Sequence, residues 1–414
     1  MNVPRRSLLL TGAGAVALGT GLSGTAWSAP SPRVSAPGAG EELDNPNYPD
    51  ERDWVTGKVR RLLGIAPSPT PLRELPLPDA LKSRGLRLCL KDETVHPSGS
   101  HKHRLAEALL HHALVSGWIR KGAPVVEASS GSTAISEAWY CRELDLDFTA
   151  VIPHGTAEKK REAITDFEGK VVVAGPGEDI TRKAAELARA GKGHFVDQFT
   201  YAERAYDWRA DKGLAAEVLK EAEPDWFVMG AGTGGTVTTL ARYARHTGDK
   251  VRVCVTDPEN SAFFPGWRDN DPSTRAKGSR IEGIGRPRVE PSFLFPLVNR
   301  MIQVPDAASI GAMRALRNIL GTPPGASTGT GLYGAIRTLR RMYEKGERGT
   351  VVTVLCDRGE RYEDTYYDEG WLRQQKIDYR PWQRTVKDFF ATGDWSPPAT
   401  WQRAPQPRSV RHNM

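Results

Sequence analysis

Short apolar runs alternate with segments of helical period through most of the chain. Residues 51–63 read as a helix and 67–78 as an extended, proline-broken connection. Residues 86–90 form an apolar run interrupted by Arg87 and Cys89 and read as a strand. A turn follows at Pro97-Ser98-Gly99-Ser100. Lys102 then opens a helical pattern carried by Leu105, Leu109, Leu110 and Leu114, with Ser98 or Ser100 as its cap. The strand at 124–128 runs into Ser129-Ser130-Gly131-Ser132-Thr133 and a helix over 134–142. A strand at 148–153 and a helix at 157–167 follow, then an apolar stretch at 171–173 and a helix near 180–190. Beyond 194–199 come a helix at 213–221, a strand at 226–229, a glycine-rich loop at 230–236 and a helix at 237–246. A strand at 251–255 leads to a second glycine-rich loop at 280–286. Helices at 307–320 and 331–345 precede the last strand, 350–356. Strands alternating with helices predict an α/β protein with mostly parallel sheets.

At 414 residues the chain is long enough for two or three domains. The formal charge is +7, and residues 380–414 hold six Lys/Arg against two Asp/Glu, so much of the excess is terminal. No basic block alternates with aromatics, which argues against nucleic acid as a partner. At the other end, Arg5-Arg6-Ser7-Leu8-Leu9-Leu10 opens a segment without further charge until Arg33. Its apolar part is too short to span a bilayer. Ala26-Trp27-Ser28 places small residues where a signal peptidase reads them. The segment is similar to a twin-arginine secretion signal, so an exported protein starting near Ala29, with no stable membrane insertion, is expected. Residues 29–40 are rich in Pro, Ser and Gly and read as a linker. The four cysteines, Cys89, Cys141, Cys254 and Cys356, lack metal-ligand spacing, and no metal site is expected. Three of them lie in apolar runs, which suits buried core thiols.

Three stretches carry candidate chemistry. Lys102 sits at the first turn of a helix, where the dipole does not favour a charged amine. The neutral form makes a Schiff base with an aldehyde, although a solvated lysine also fits the pattern. Gly232-Thr233-Gly234-Gly235-Thr236 lies between a strand and a helix, where glycine lets backbone N–H groups approach a phosphate. On its own, Gly230-Ala231-Gly232-Thr233-Gly234-Gly235, with Asp257 further on, also loosely matches a dinucleotide fingerprint. The Ser129–Thr133 stretch offers hydroxyls and N–H groups to a carboxylate, or a plain helix cap. An amine, a carboxylate site and a phosphate site together are what an amino acid bound to pyridoxal phosphate requires.

With these motifs in order, the chain resembles the fold type II pyridoxal-phosphate enzymes of the cysteine synthase and cystathionine β-synthase family, from about Leu72 to Thr365. The resemblance rests on the Lys102 turn, the Ser129 loop, Asp197-Gln198-Phe199, the Gly232 loop, Glu282-Gly283-Ile284-Gly285 and Ser327-Thr328-Gly329-Thr330. Lys91-Asp92-Glu93-Thr94 and Asp257-Pro258-Glu259-Asn260 bring it nearest to the L-cysteine desulfhydrase branch.

The resemblance implies two doubly wound domains with the cofactor in the cleft between them. The large one would comprise 46–105 and 197–378 and the small one 106–196, after a signal at 1–28 and a linker at 29–45. A basic, Trp- and Pro-rich tail, 379–414, would lie on the surface. By the same resemblance Lys102 holds the cofactor and moves the substrate's α-proton. Gly232, Thr233, Gly234, Gly235 and Thr236 hold the phosphate, and Ser327 faces the pyridine nitrogen. Ser129, Ser130, Gly131, Thr133 and Gln198 hold the substrate carboxylate. Ser132, counted with the cofactor-binding residues, stands where the synthases place an asparagine beside the cofactor's 3′-oxygen, and His103 where they have aspartate; His101 and His103 read as structural or solvated, though either could meet a leaving group. A hydroxyl at the ring nitrogen does not keep it protonated, which favours β-elimination over transamination. The implied reaction is β-elimination on L-cysteine to sulfide, pyruvate and ammonia, in a homodimer. β-Replacement by a synthase, and amino-acid binding without turnover, are the alternatives.

Overall fold

The computed structural model describes residues 50–399. The arginine pair, the linker and the last part of the basic tail lie outside the described residues. The strands are β1 (Leu72–Glu74), β2 (Leu86–Asp92), β3 (Val125–Ala128), β4 (Phe148–Ile152), β5 (Lys170–Val173), β6 (His194–Phe195), β7 (Trp226–Gly230), β8 (Arg252–Pro258), β9 (Arg300–Val304) and β10 (Gly349–Leu355). The helices are α1 (Arg52–Gly64), α2 (Asp79–Lys82), α3 (Lys102–Val115), α4 (Ser132–Glu143), α5 (Glu158–Thr165), α6 (Ile180–Ala190) and α7 (Gln198–Ala205). They continue as α8 (Leu214–Ala222), α9 (Gly235–Thr247), α10 (Phe263–Asp269), α11 (Asp306–Leu320), α12 (Ala326–Glu344), α13 (Glu369–Gln374) and α14 (Arg380–Thr392).

Six strands form one sheet in the order β1-β2-β10-β7-β8-β9, parallel except for β1. Four form a second, all-parallel sheet, β5-β4-β3-β6. Helices cover both faces of the larger sheet, so its central strands are apolar throughout rather than alternating. Along β7, Trp226 and Val228 enter the core beneath α11 and α12, while Phe227 and Met229 enter the one beneath α8 and α9. In the smaller sheet, Val125, Ala150 and Ile152 pack under α3 and α4, and Val126, Ala128 and Val151 meet Ala184 and Ala188 of α6. The expected parallel α/β architecture is therefore present, and all four cysteines are buried and free.

Two boundary expectations change. Residues 52–64 were placed with the larger lobe, yet α1 packs on α3 and buries Leu62 in the core of the smaller sheet. The first part of the expected surface tail is also internal. Trp382, Val386 and Phe389 recur at helical spacing on α14 and are buried against α11, and the Trp395 ring meets Tyr333 at a tilt, 5.1 Å between centroids. The basic residues between them mask that stripe in the composition. The elements outside the pattern-based assignment include α2, α7, α10, α13 and the edge strand β9, whose Arg300 and Gln303 break its apolar run.

Candidate active site

Parallel strands deliver their carboxyl ends to one edge of each sheet, and loops leaving those ends meet there. The turn after β2 brings Lys102, the loop after β7 brings the Gly232 cradle, and the turn after β10 brings Asp357. The loop after β3 adds Ser129–Thr133 from the smaller sheet. Together they line a cavity of about 480 Å³.

The Lys102 end is fixed by hydrogen bonds. Lys102 N–H donates to Ser100 Oγ at 3.2 Å, and His101 N–H donates to the Cys356 carbonyl at 2.8 Å. Ser100 therefore serves the helix start, while Ser98 Oγ instead lies 3.0 Å from His103 Nδ1 and 2.8 Å from Ser136 Oγ. The Lys102 side chain is buried, not solvated. Burial is the main cause that pushes its amine down to about 8, with Cys356 and Asp357 acting in the opposite direction.

The glycine loop forms the floor. Gly234 has φ +90°, and a Cβ there would meet the Phe293 backbone. A Cβ on Gly232 would lie 2.2 Å from the Gly283 carbonyl and 3.7 Å from Lys102 Nζ. The lysine amine therefore overlooks the cradle. Gly235 opens α9, and its own missing Cβ makes room for Ala202 of α7. Asp257 is not among the residues lining the cavity: it is buried at the end of β8 and accepts from Phe264 N–H at 2.7 Å. Its carboxylate is thus committed to the start of α10 instead of to a ligand in the cavity.

Ser327 lines the cavity from the first turn of α12, which begins at Ala326, five residues earlier than the pattern indicated. Thr133 Oγ1 donates to Gln198 Oε1 at 2.8 Å, so the serine loop and α7 meet. Ser129, Ser130, Gly131 and Ser132 share the cavity wall. Ser132 Oγ accepts from Arg361 Nη1 at 3.0 Å. His101 reaches the cavity, whereas His103 does not: it is buried, stacked 4.5 Å from Tyr140 and 5.1 Å from His96. His103 therefore takes the structural reading, and its leaving-group alternative falls away.

The cavity also holds residues outside the motifs above. Asp357 is buried, accepts from Tyr362 OH at 2.6 Å and faces Ser132 Oγ at 3.5 Å, while its other oxygen has no partner. Burial raises its carboxyl. Across the cavity, Lys160 of α5 pairs with Glu282 at 2.6 Å, and Arg286 lies 4.1 Å over the Phe199 ring. Asp357 had a signal, since it is the first charge after an apolar strand, at the edge where parallel sheets bind ligands. Arg286 and Lys160 had none, because only folding brings their elements together.

Comparisons with known proteins agree with this geometry. The chain is 45% identical over 355 residues to the L-cysteine desulfhydrase Cds1 of Mycobacterium tuberculosis, covering 83% of this chain and 96% of that protein. It is 29% identical to cysteine synthase B of Campylobacter jejuni, covering 69% of this chain and 93% of that one. The crystal structure of O-ureido-L-serine synthase shares the fold, with a TM-score of 0.64 at 24% identity over 77% of this chain and 98% of that one. Residues 64–357 match the family described as pyridoxal-phosphate dependent enzyme, and the chain belongs to that family.

Proposed function

We propose that this enzyme is a lyase that removes sulfide from L-cysteine and releases pyruvate and ammonia. Its relation to a desulfhydrase at 45% identity supports the substrate. The single observation that carries the chemistry is the buried amine of Lys102 poised over the Gly232 cradle.

The residues present fit pyridoxal phosphate. A floor that a Cβ would fill, at the start of the thirteen-residue helix α9, suits a phosphate on backbone N–H groups. Lys102 would hold the aldehyde, Gly232 through Thr236 the phosphate, and Ser327 the ring nitrogen. When bound, the cofactor withdraws electrons from the substrate's Cα, which acidifies the Cα proton and lets the β-substituent depart. Lys102 accepts that proton as a neutral amine, the form its burial favours. The Ser129–Thr133 loop and Gln198 bind and orient the substrate carboxylate.

Turnover of L-cysteine with no second substrate tests this reading. Sulfide and pyruvate in equal amounts are expected; product only when a nucleophile is added would make it a synthase, and binding without product would make it a binding protein. We propose further that residues 1–28 direct export by the twin-arginine route and that the mature chain forms a homodimer. The arginine pair and small-residue cleavage site support the first, and the family resemblance supports the second.

A further inference from the structure

Behind the serine loop, two carboxylates share the interior of the smaller lobe. Glu127, on β3, and Glu137, on α4, are both fully buried. Neither forms an ion pair among the described residues. Glu127 is well partnered by backbone: Ala128 N–H donates to one oxygen at 2.6 Å and Gln198 N–H to the other at 3.1 Å. Both oxygens of Glu137 lack any hydrogen-bond partner. A buried carboxylate without a donor is costly when charged, and two near each other cannot both ionise cheaply. The partnered oxygens belong to Glu127, so the charge belongs there and the proton belongs on Glu137. The other titratable groups facing the pair are Asp197, just before α7, and the Cys141 thiol on α4. Neither is a cation. Burial pushes both glutamates upward.

The two N–H groups on Glu127 come from the two halves of the proposed carboxylate site. Ala128 leads into Ser129–Thr133, and Gln198 opens α7. Thr133 and Gln198 then close the ring on the cavity side. We infer that Glu127 is a positioning residue for substrate carboxylate binding: it clamps Gln198 to the serine loop from behind, and Glu137 carries the proton that lets it stay ionised. This rests on the reading of Ser129–Thr133 and Gln198 as the carboxylate site. Glu127 touches neither substrate nor cofactor.

The test uses the holoenzyme with L-cysteine, and with L-alanine as a non-eliminating carboxylate ligand followed by its effect on the cofactor spectrum. Glu127→Gln keeps the shape but replaces one acceptor by a donor, so one of the two N–H bonds is lost. It should raise KM for cysteine and Kd for alanine about tenfold, with kcat within about threefold and cofactor content and absorbance unchanged. In the wild type, KM should rise as pH falls and Glu127 takes up a proton; that limb should be absent in Glu127→Gln. Glu137→Gln mimics a protonated acid and should keep wild-type KM at neutral pH and keep the acid limb. An unchanged KM in Glu127→Gln, a KM rise accompanied by equal loss of cofactor, or loss of the acid limb in Glu137→Gln would each overturn the inference. If Glu127→Gln does not fold, the Glu137→Gln profile decides alone. Ser129→Ala and Gln198→Ala separate the two levels: if neither raises KM, the carboxylate site itself is misassigned, whereas a rise in both with Glu127→Gln silent defeats only the clamp.

Discussion

Lys102 illustrates how a single residue's chemistry depends on its surroundings. Its place at a helix start was legible from sequence, but its burial was not, because the walls come from Gly232, Gly283 and Asp357, far away in the chain. Lys102→Ala should abolish cysteine turnover and the visible band of covalently bound cofactor while leaving the melting temperature of the cofactor-free protein nearly unchanged. Borohydride trapping checks this, and a trapped adduct on another lysine would contradict it. The pH dependence has a definite sign. The neutral amine adds to an aldehyde, and with the amine pushed down to about 8, uptake of pyridoxal phosphate by cofactor-free enzyme should accelerate with pH and level off above about 8. A solvated lysine would continue to accelerate toward about 10. Ser327 offers a second test. A simple capping role would place it before the helix, yet α12 has already begun at Ala326, with Gly325 at the cap. Ser327→Asp should therefore slow sulfide release severalfold or more and increase side reactions such as transamination, read from pyruvate, sulfide and the spectrum of the bound species. Wild-type rates and spectrum would remove Ser327 from the site.

At the level of elements, hydrophobic period located most strands and helices because each buries a definite face. It failed where that signal is diluted. Gly329 and Gly331 hide the first turns of α12, although both glycines are required there by close contact with Ser309 and Thr353. Polar residues hide β9 and the inner face of α14. Phe389 is fully buried on α14, so Phe389→Ala should destabilise the enzyme by about 3–5 kcal/mol, measured by denaturant unfolding, with cysteine KM little affected. A surface tail would give almost no change. The glycine loop yields a more discriminating pair. Gly232→Ala places a methyl against the Gly283 carbonyl at the cavity floor and should weaken cofactor affinity at least tenfold in equilibrium dialysis. Gly235→Ala instead pushes on Ala202 of α7, so it should raise cysteine KM through Gln198 as well as lower stability. Full cofactor occupancy in Gly232→Ala would mean that the loop binds something else.

For the whole molecule, two parallel sheets point their carboxyl edges at one cavity, and the catalytic amine belongs to a helix packed in the smaller lobe but starting from a strand of the larger. Sequence order disclosed the motifs; spatial order assigned them to one site and added Asp357, Arg361 and Tyr362. The export proposal is tested outside this folded unit. Arg5→Lys with Arg6→Lys should retain the protein in the cytoplasm, and equal export of both forms would exclude the twin-arginine route. The chemistry is decided by incubating purified holoenzyme with L-cysteine alone and following sulfide and pyruvate together. Both should appear at the same rate, continue over many turnovers without an added nucleophile, and vanish in Lys102→Ala. Absence of pyruvate, or turnover only on addition of a second substrate, would contradict the proposed lyase reaction.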